Sequence, residues 1–237
     1  MAHALWRAVA RKGDLAVDAT AGNGWDTAAL AELVLGDDGE DPGVVLAFDV
    51  QARALASTRR RVDERFDAEK ASRVRLVLDS HAEIGAYVDA YVARATTTDR
   101  PSVDDGVCAR DAENDDAFDD DDAPPRAAGA RRFRGVGVAC FNLGYLPGAD
   151  SDKTVVTETE STVRAVRAAI AALRPGGVLT VVGYVGHAGG AEETEAVSAL
   201  IETLDPRAFT ATAHAVVNRE NCPRLIVVHR KDTARGT

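Results

Sequence analysis

Apolar residues along this chain fall into two kinds of segment. Short unbroken runs rich in valine and leucine alternate with longer stretches where apolar positions recur every three or four residues. The runs are DLAVDAT (14–20), GVVLAFDV (43–50), RVRLVLDS (73–80), GVGVACFN (135–142) and GVLTVVGY (177–184), the pattern of strands covered on both faces. Helical spacing appears over 25–35, 51–66, 82–95, 159–174 and 192–204. The fourth of these is predicted to stop at Pro175-Gly176-Gly177. FTATAHAVV (209–217) and RLIVVHR (224–230) read as two last strands joined by a short turn. The opening MAHALWRAVARKGD reads as a short amphipathic helix running straight into the first strand. Strands alternating with helices through short connections predict an α/β fold: a doubly wound, seven-stranded sheet, mostly parallel, with one antiparallel strand from the final hairpin.

Residues 96–132 break the pattern. TTTDRPSVDDGVCARDAENDDAFDDDDAPPRAAGARR is rich in Asp, Ala and Pro and has almost no apolar periodicity. Such a segment cannot bury enough surface to offset its ordering entropy, so a disordered acidic insertion is expected there. The remainder of the 237 residues suits one domain. The insertion also changes how the net charge of −10 is read: Asp99 to Asp122 holds 11 of the 38 acidic residues and 2 of the 28 basic ones, so the rest is close to neutral. An RNA substrate is therefore compatible with the charge, because the local field matters. The 3 cysteines and 5 histidines are scattered without paired or metal-ligand spacing, which argues against a disulfide framework and a metal site. No apolar run is long enough to span a bilayer, and the first residues lack the apolar centre of a secretory signal. The expectation is a cytoplasmic or organellar protein that is not secreted, with no membrane partner; a homodimer is left open.

Candidate chemistry sits where strands hand over to helices. DATAGNGWDT (18–27) follows the first strand, and Gly22 and Gly24 let the backbone turn tightly and approach a ligand at a helix N-terminus. The third glycine of a dinucleotide loop is replaced by Thr27, which disfavours a dehydrogenase. Asp18 ends the first strand and Asp49 the second; an acid at the latter position can take both hydroxyls of a ribose. Each also has a plain reading, Asp18 as a turn cap and Asp49 as a solvated acid. Their joint occurrence at consecutive strand ends carries the inference, because ligands in such sheets bind outside the carboxyl ends of the strands.

This constellation resembles the class I S-adenosylmethionine-dependent methyltransferases, whose sheet is Rossmann-like. The resemblance implies that Asp18 and the glycine loop face the methionine portion and Asp49 the ribose. Asp79, Ser80 or His81 would border the adenine, although a capping or packed role for His81 is equally open. A closer likeness runs in order along nearly the whole chain. DATAGNGWDT, AFDVQ with ALAST, Ser80-His81, FNLGYLPGAD, TVVTETEST and GYVGHAGGAEE resemble the small methyltransferases first labelled putative rRNA methylases, whose bacterial members methylate 5-aminomethyl-2-thiouridine in tRNA. The implied cofactor is S-adenosyl-L-methionine, bound by Asp18, Thr20, Gly22, Asn23, Gly24, Asp26, Thr27, Asp49, Gln51, Ser80 and His81, with Asn142 and Leu143. The implied activity is methylation of the aminomethyl nitrogen of a wobble uridine, with tRNA as partner. Two departures are Trp25, where the family pattern has histidine, and the acidic insertion.

The catalytic expectation is Asn142, Tyr145 and His187. An aminomethyl group is mostly protonated near neutrality and then has no lone pair for attack, so the site must accept a proton or favour the neutral amine. The amide oxygen of Asn142, with the Leu143 carbonyl, can accept hydrogen bonds from an amine and aim its lone pair. Gly144 permits close approach, and Tyr145 can stack on a base. His187 is the first candidate for proton acceptor; Asp150, Lys153, Asn218 and Asn221 are weaker ones. Phosphate contacts are expected from Arg7, Arg11, Lys12, the Arg59-Arg60-Arg61 run, and Arg131, Arg132 and Arg134. Other acceptors, an rRNA or a small-molecule amine, and a non-catalytic RNA-binding role remain as alternatives.

Overall fold

The computed structural model describes residues 1–36, 43–96, 135–144, 159–186, 189–220 and 222–232. The expected insertion over 96–132 lies outside these residues beyond position 96. So do Tyr145, Asp150, Lys153, His187, Asn221, Arg131, Arg132 and Arg134.

Helix α1 (Ala2–Val9) leads into β1 (Leu15–Asp18) and α2 (Trp25–Val34). Then come β2 (Val44–Asp49), α3 (Ala52–Arg65), α4 (Ala68–Ser72) and β3 (Val74–Leu78). A 3-10 turn over His81–Glu83 precedes α5 (Ile84–Thr96). After β4 (Val136–Leu143) come α6 (Thr159–Ala172), β5 (Leu173–Gly183), α7 (Gly190–Glu202), β6 (Phe209–His214) and β7 (Arg224–Arg230). The seven strands form one sheet in the order β3-β2-β1-β4-β5-β7-β6. Only β7 runs antiparallel, pairing with β5 on one side and β6 on the other. This is the seven-stranded, mostly parallel sheet expected from the alternating pattern.

Side-chain alternation divides the core into two layers. Leu15, Val17, Phe48, Ala139, Phe141 and Leu143 pack on one face, against Ile84, Val88, Ala165, Ala169 and Val197 of α5, α6 and α7. Ala16, Val45, Val138 and Cys140 pack on the other, against Trp6, Leu30, Val34 and Val62 of α1, α2 and α3. One strand switches phase: Leu15 pairs with Val136 but Ala16 with Val138, so Gly137 is an extra residue in β4. A β-bulge there re-aims the rest of the strand. Glycine is required, since a Cβ would lie 2.2 Å from Asp14 Oδ2.

The end of α6 differs from the expectation. The helix stops at Ala172, before the Pro-Gly-Gly signal, and Leu173 already pairs with Val136. The next partners are Val138 and Val178, so Arg174 to Gly177 form an excursion within β5. Arg174 opens it: its guanidinium turns inward and makes a two-pronged ion pair with Asp14, at 2.7 and 2.6 Å. Helix α4 is absent from the periodicity because it is too short to show one; its start is capped by Asp67, which accepts from the Lys70 backbone at 2.8 Å.

Candidate active site

The C-terminal ends of β1, β2 and β4 meet at one edge of the sheet. Ala19 donates its N–H to Cys140 of β4 and Ala21 to Phe48 of β2, at 2.9 and 2.8 Å. The loop after β1 is thus tied to both neighbouring strands. Gly22 and Gly24 have φ of 53° and 77°, left-handed conformations that favour glycine. At Gly24 a Cβ would also come within 2.8 Å of Thr58 Cα on α3. The Thr58 hydroxyl donates to the Gly22 carbonyl at 3.1 Å. Arg61 adds a second tie, donating from Nε to the Asn23 carbonyl at 2.7 Å while lying 3.4 Å over the exposed Trp25 ring.

Three carboxylates line this edge. Asp18 is buried and accepts from the Thr27 hydroxyl at 2.6 Å and the Thr20 N–H at 3.2 Å. Burial pushes its pKa up to about 6; the hydrogen bonds work against that shift and the nearby Asp26 charge reinforces it. Asp49 accepts from the N–H groups of Gly22 and Gln51, both at 2.9 Å, and so holds the glycine loop to the start of α3. Its pKa is raised by burial, against those hydrogen bonds and the Arg53 charge. A carboxylate has about four lone-pair positions, so these bonds leave room for a ligand hydroxyl. Asp26 lies between Asn142 and His3: it accepts from Asn142 Nδ2 at 2.5 Å through one oxygen and meets His3 Nε2 at 2.5 Å through the other.

Asn142 is thereby oriented from two sides. Its backbone N–H donates to the Thr20 hydroxyl at 2.7 Å, locking β4 to the loop after β1. Its amide NH2 end faces Asp26, which leaves Oδ1 as the accepting end. Leu143 is buried, and Gly144 follows with φ of 151°. Gln51 precedes α3, and its side chain accepts from Arg53 at 2.8 Å. Ser80 caps the 3-10 turn, accepting from the Ala82 N–H at 3.2 Å. His81 is turned into the core. It is bonded to the Ala19 backbone, packed edge-on to Phe141 at 6.0 Å and set 3.4 Å from the Thr162 hydroxyl. Burial lowers its pKa to about 4, so it stays neutral near pH 7. The packed alternative for this residue is the one its surroundings favour.

A cavity of about 430 Å³ opens beside Asn142, between α1 and the ends of β4, β5 and β7, within the ~300–1,000 Å³ of ordinary small-molecule sites. His3, Trp6, Asp26, Asn142, Thr180 and Tyr184 are among its lining residues. Sequence reasoning passed over His3, Trp6 and Tyr184. The readable signal was a histidine and a tryptophan three apart on a short amphipathic helix, hence on one face. The basic clusters fare differently. Lys12 donates to the Glu32 and Leu35 carbonyls, and Arg59 to those of Ala71 and Val74. Those groups, like Arg61, hold the fold together.

Among the described residues no group of His, Cys, Asp and Glu could hold a metal, and no helix is long and apolar enough to cross a membrane. The family model described as "Putative rRNA methylase" matches residues 45–97 and 130–230. A protein of Arabidopsis thaliana named tRNA (mnm(5)s(2)U34)-methyltransferase, chloroplastic, is 30% identical over 98% of this chain and 69% of its own length. The crystal structure of a putative rRNA-methylase from Clostridium thermocellum superposes with a TM-score of 0.70 at 30% identity, over 97% of this chain and 95% of the other. That of a putative methyltransferase from Streptococcus mutans, in complex with SAH, gives 0.65 at 26% identity, over 97% and 95%.

Proposed function

The chain belongs to the putative rRNA methylase family, and from that premise we propose that it methylates the aminomethyl nitrogen of a wobble 5-aminomethyl-(2-thio)uridine in tRNA, with S-adenosylmethionine as methyl donor. The 30% identity to a tRNA (mnm(5)s(2)U34)-methyltransferase, over 98% of this chain, is the observation that carries the substrate class. The chloroplastic name of that relative supports an organellar setting, with the cytosol as the alternative.

The residues present fit S-adenosylmethionine. Asp18 is a buried acid whose partners among the described residues include no lysine or arginine, and Asp26 lies close enough to raise its pKa. Such a site favours a cationic ligand, because an added positive charge offsets both burial and the carboxylate repulsion. Asp18, with Thr20, Gly22, Asn23, Gly24 and Thr27, would hold the methionine end; Asp49 and Gln51 the ribose; Asp79 and Ser80 the adenine. When bound, the group supplies an electrophilic methyl on a sulfonium.

The chain's own part is to hold the amine in line with that methyl and to exclude water. Asp26 takes the NH2 end of Asn142, so the amide oxygen is the end turned to accept an N–H from the substrate and direct the nitrogen lone pair. The Thr20–Asn142 bond keeps this acceptor side in register with the glycine loop. The test is incubation with S-adenosylmethionine and a tRNA carrying the unmethylated aminomethyl group, followed by nucleoside mass spectrometry. A mass gain of one methyl on that uridine is expected; methylation of rRNA or of a free amine instead would replace the reading. Asn142→Ala should lower turnover about 10²–10³-fold, as loss of a positioned polar group does, while cofactor affinity changes little in calorimetry.

A further inference from the structure

A protonated amine cannot attack, so something must take its proton. His81 is poorly suited, being buried, bonded to the Ala19 backbone and held neutral. The described residues contain a second histidine at the same sheet edge. His3 projects from α1 onto Asp26 and lies 4.6 Å from the Trp6 ring. Trp6 is itself fixed, donating its indole N–H to the Thr180 hydroxyl at 3.1 Å. One carboxylate therefore aligns two groups at once, the Asn142 amide and the His3 imidazole, and both border the same cavity. Its walls add Val182 and Leu225, apolar surfaces suited to a planar ring. The side chain of His3 is 43% exposed, so a proton arriving there has a route to water.

Resting on the reading above, we propose that the cavity under α1 seats the acceptor base and that His3, oriented by Asp26, takes the proton from its ammonium group. One proton moves from the ammonium nitrogen to the imidazole. The substrate becomes a neutral amine with a free lone pair, and the imidazole becomes an imidazolium. The Asp26 carboxylate stabilises that charge, and the proton then passes to solvent. The other titratable groups around the cavity are the Met1 amino group, Cys140 on β4 and Tyr184 just after β5, with Asp18 behind Asp26. The Cys140 thiol is pushed far up by burial and by Asp18 and Asp26, so it stays protonated.

Single-turnover methylation of the aminomethyl-uridine tRNA, followed from pH 6 to 10, tests the proton role. His3→Gln should be about 10²-fold slower than the unmodified protein at pH 7. Its rate should climb toward the unmodified rate as pH nears the pKa of the free amine. Equal rates at pH 7 would overturn the role. A second readout is independent of turnover. The chain has 2 tryptophans, so Trp25→Phe leaves Trp6 as sole reporter. Its emission should change when that tRNA binds together with S-adenosylhomocysteine; binding without any change would overturn the cavity as the base site. Calorimetry should find S-adenosylhomocysteine affinity unaltered in His3→Gln, and a matching loss there would mean that His3 shapes the cofactor site instead. The functional reading fails separately: an unmodified protein that binds S-adenosylhomocysteine but methylates no aminomethyl-uridine would sink it, and the proton role with it.

Discussion

Asp14 and Asp18 stand at opposite ends of β1, and both are buried. Asp14 is enclosed by cationic and backbone donors. Arg174 grips both of its oxygens, the Arg11 N–H adds a third bond at 2.8 Å, and Arg174 also reaches the Val9 carbonyl at 2.9 Å. Among the described residues Asp18 has only neutral donors and a neighbouring acid, and its pKa rises to about 6. The same residue type on the same strand is thus satisfied at one edge and left short of positive charge at the other. The lower edge ties α1, β1 and β5 together. The upper edge keeps an unmet demand for a cation, as sites that bind ligands commonly do.

The sharpest way to break this comparison is at Arg174. Arg174→Ala leaves Asp14 buried and unpaired, which should cost about 3–5 kcal/mol in urea unfolding. Cofactor affinity of the folded fraction should stay unchanged; a parallel loss of affinity would show that the two ends are not separate. Asp18→Asn should act oppositely. Burial raises the Asp18 pKa to about 6, from an ordinary 3.8. Between those values the native state holds a proton that the unfolded chain releases, so stability falls as pH rises from about 4 to 6. Asparagine avoids that loss. The variant should be more stable by about 3 kcal/mol above pH 6, and the gain should vanish as pH drops through 3.8. Thermal melts across this range check it, and calorimetry should find cofactor binding lost. The smallest effect is expected from Arg61→Gln, which removes an exposed cation–π contact worth about 0.5–1 kcal/mol. It should weaken S-adenosylhomocysteine binding about threefold by loosening the Asn23 loop, with little change in melting temperature.

Most of the fold was legible because its signals are local. Every run rich in valine and leucine became a strand, and every stretch with helical spacing a helix, α1 included. The places where reading failed are places where a distant partner decides. Pro175-Gly176-Gly177 looked like the end of α6, but the helix stops at Ala172, and Arg174 is held by Asp14, 160 positions away in the chain. Nothing local marks Gly137 as a bulge residue, and it must be glycine because the Asp14 carboxylate occupies the space of a Cβ. At the candidate site the glycine loop and the strand-end acids stood out in the chain. The partnership of His3 with Asp26 did not, since nothing at 23 positions' separation marks a contact.

The sequence by itself determined the sheet, its order of elements and the kind of residue at each strand end, because periodicity and strand-ending residues are written within a few positions. Tertiary structure decided the state of those residues. Whether an aspartate is clamped by a guanidinium or left beside another acid depends on which strands meet. Burial then turns that choice into a raised or satisfied carboxylate. It also turned His81 into the core and brought His3 over the cavity, because the packing of α1 and α6 on the sheet determines which imidazole faces solvent.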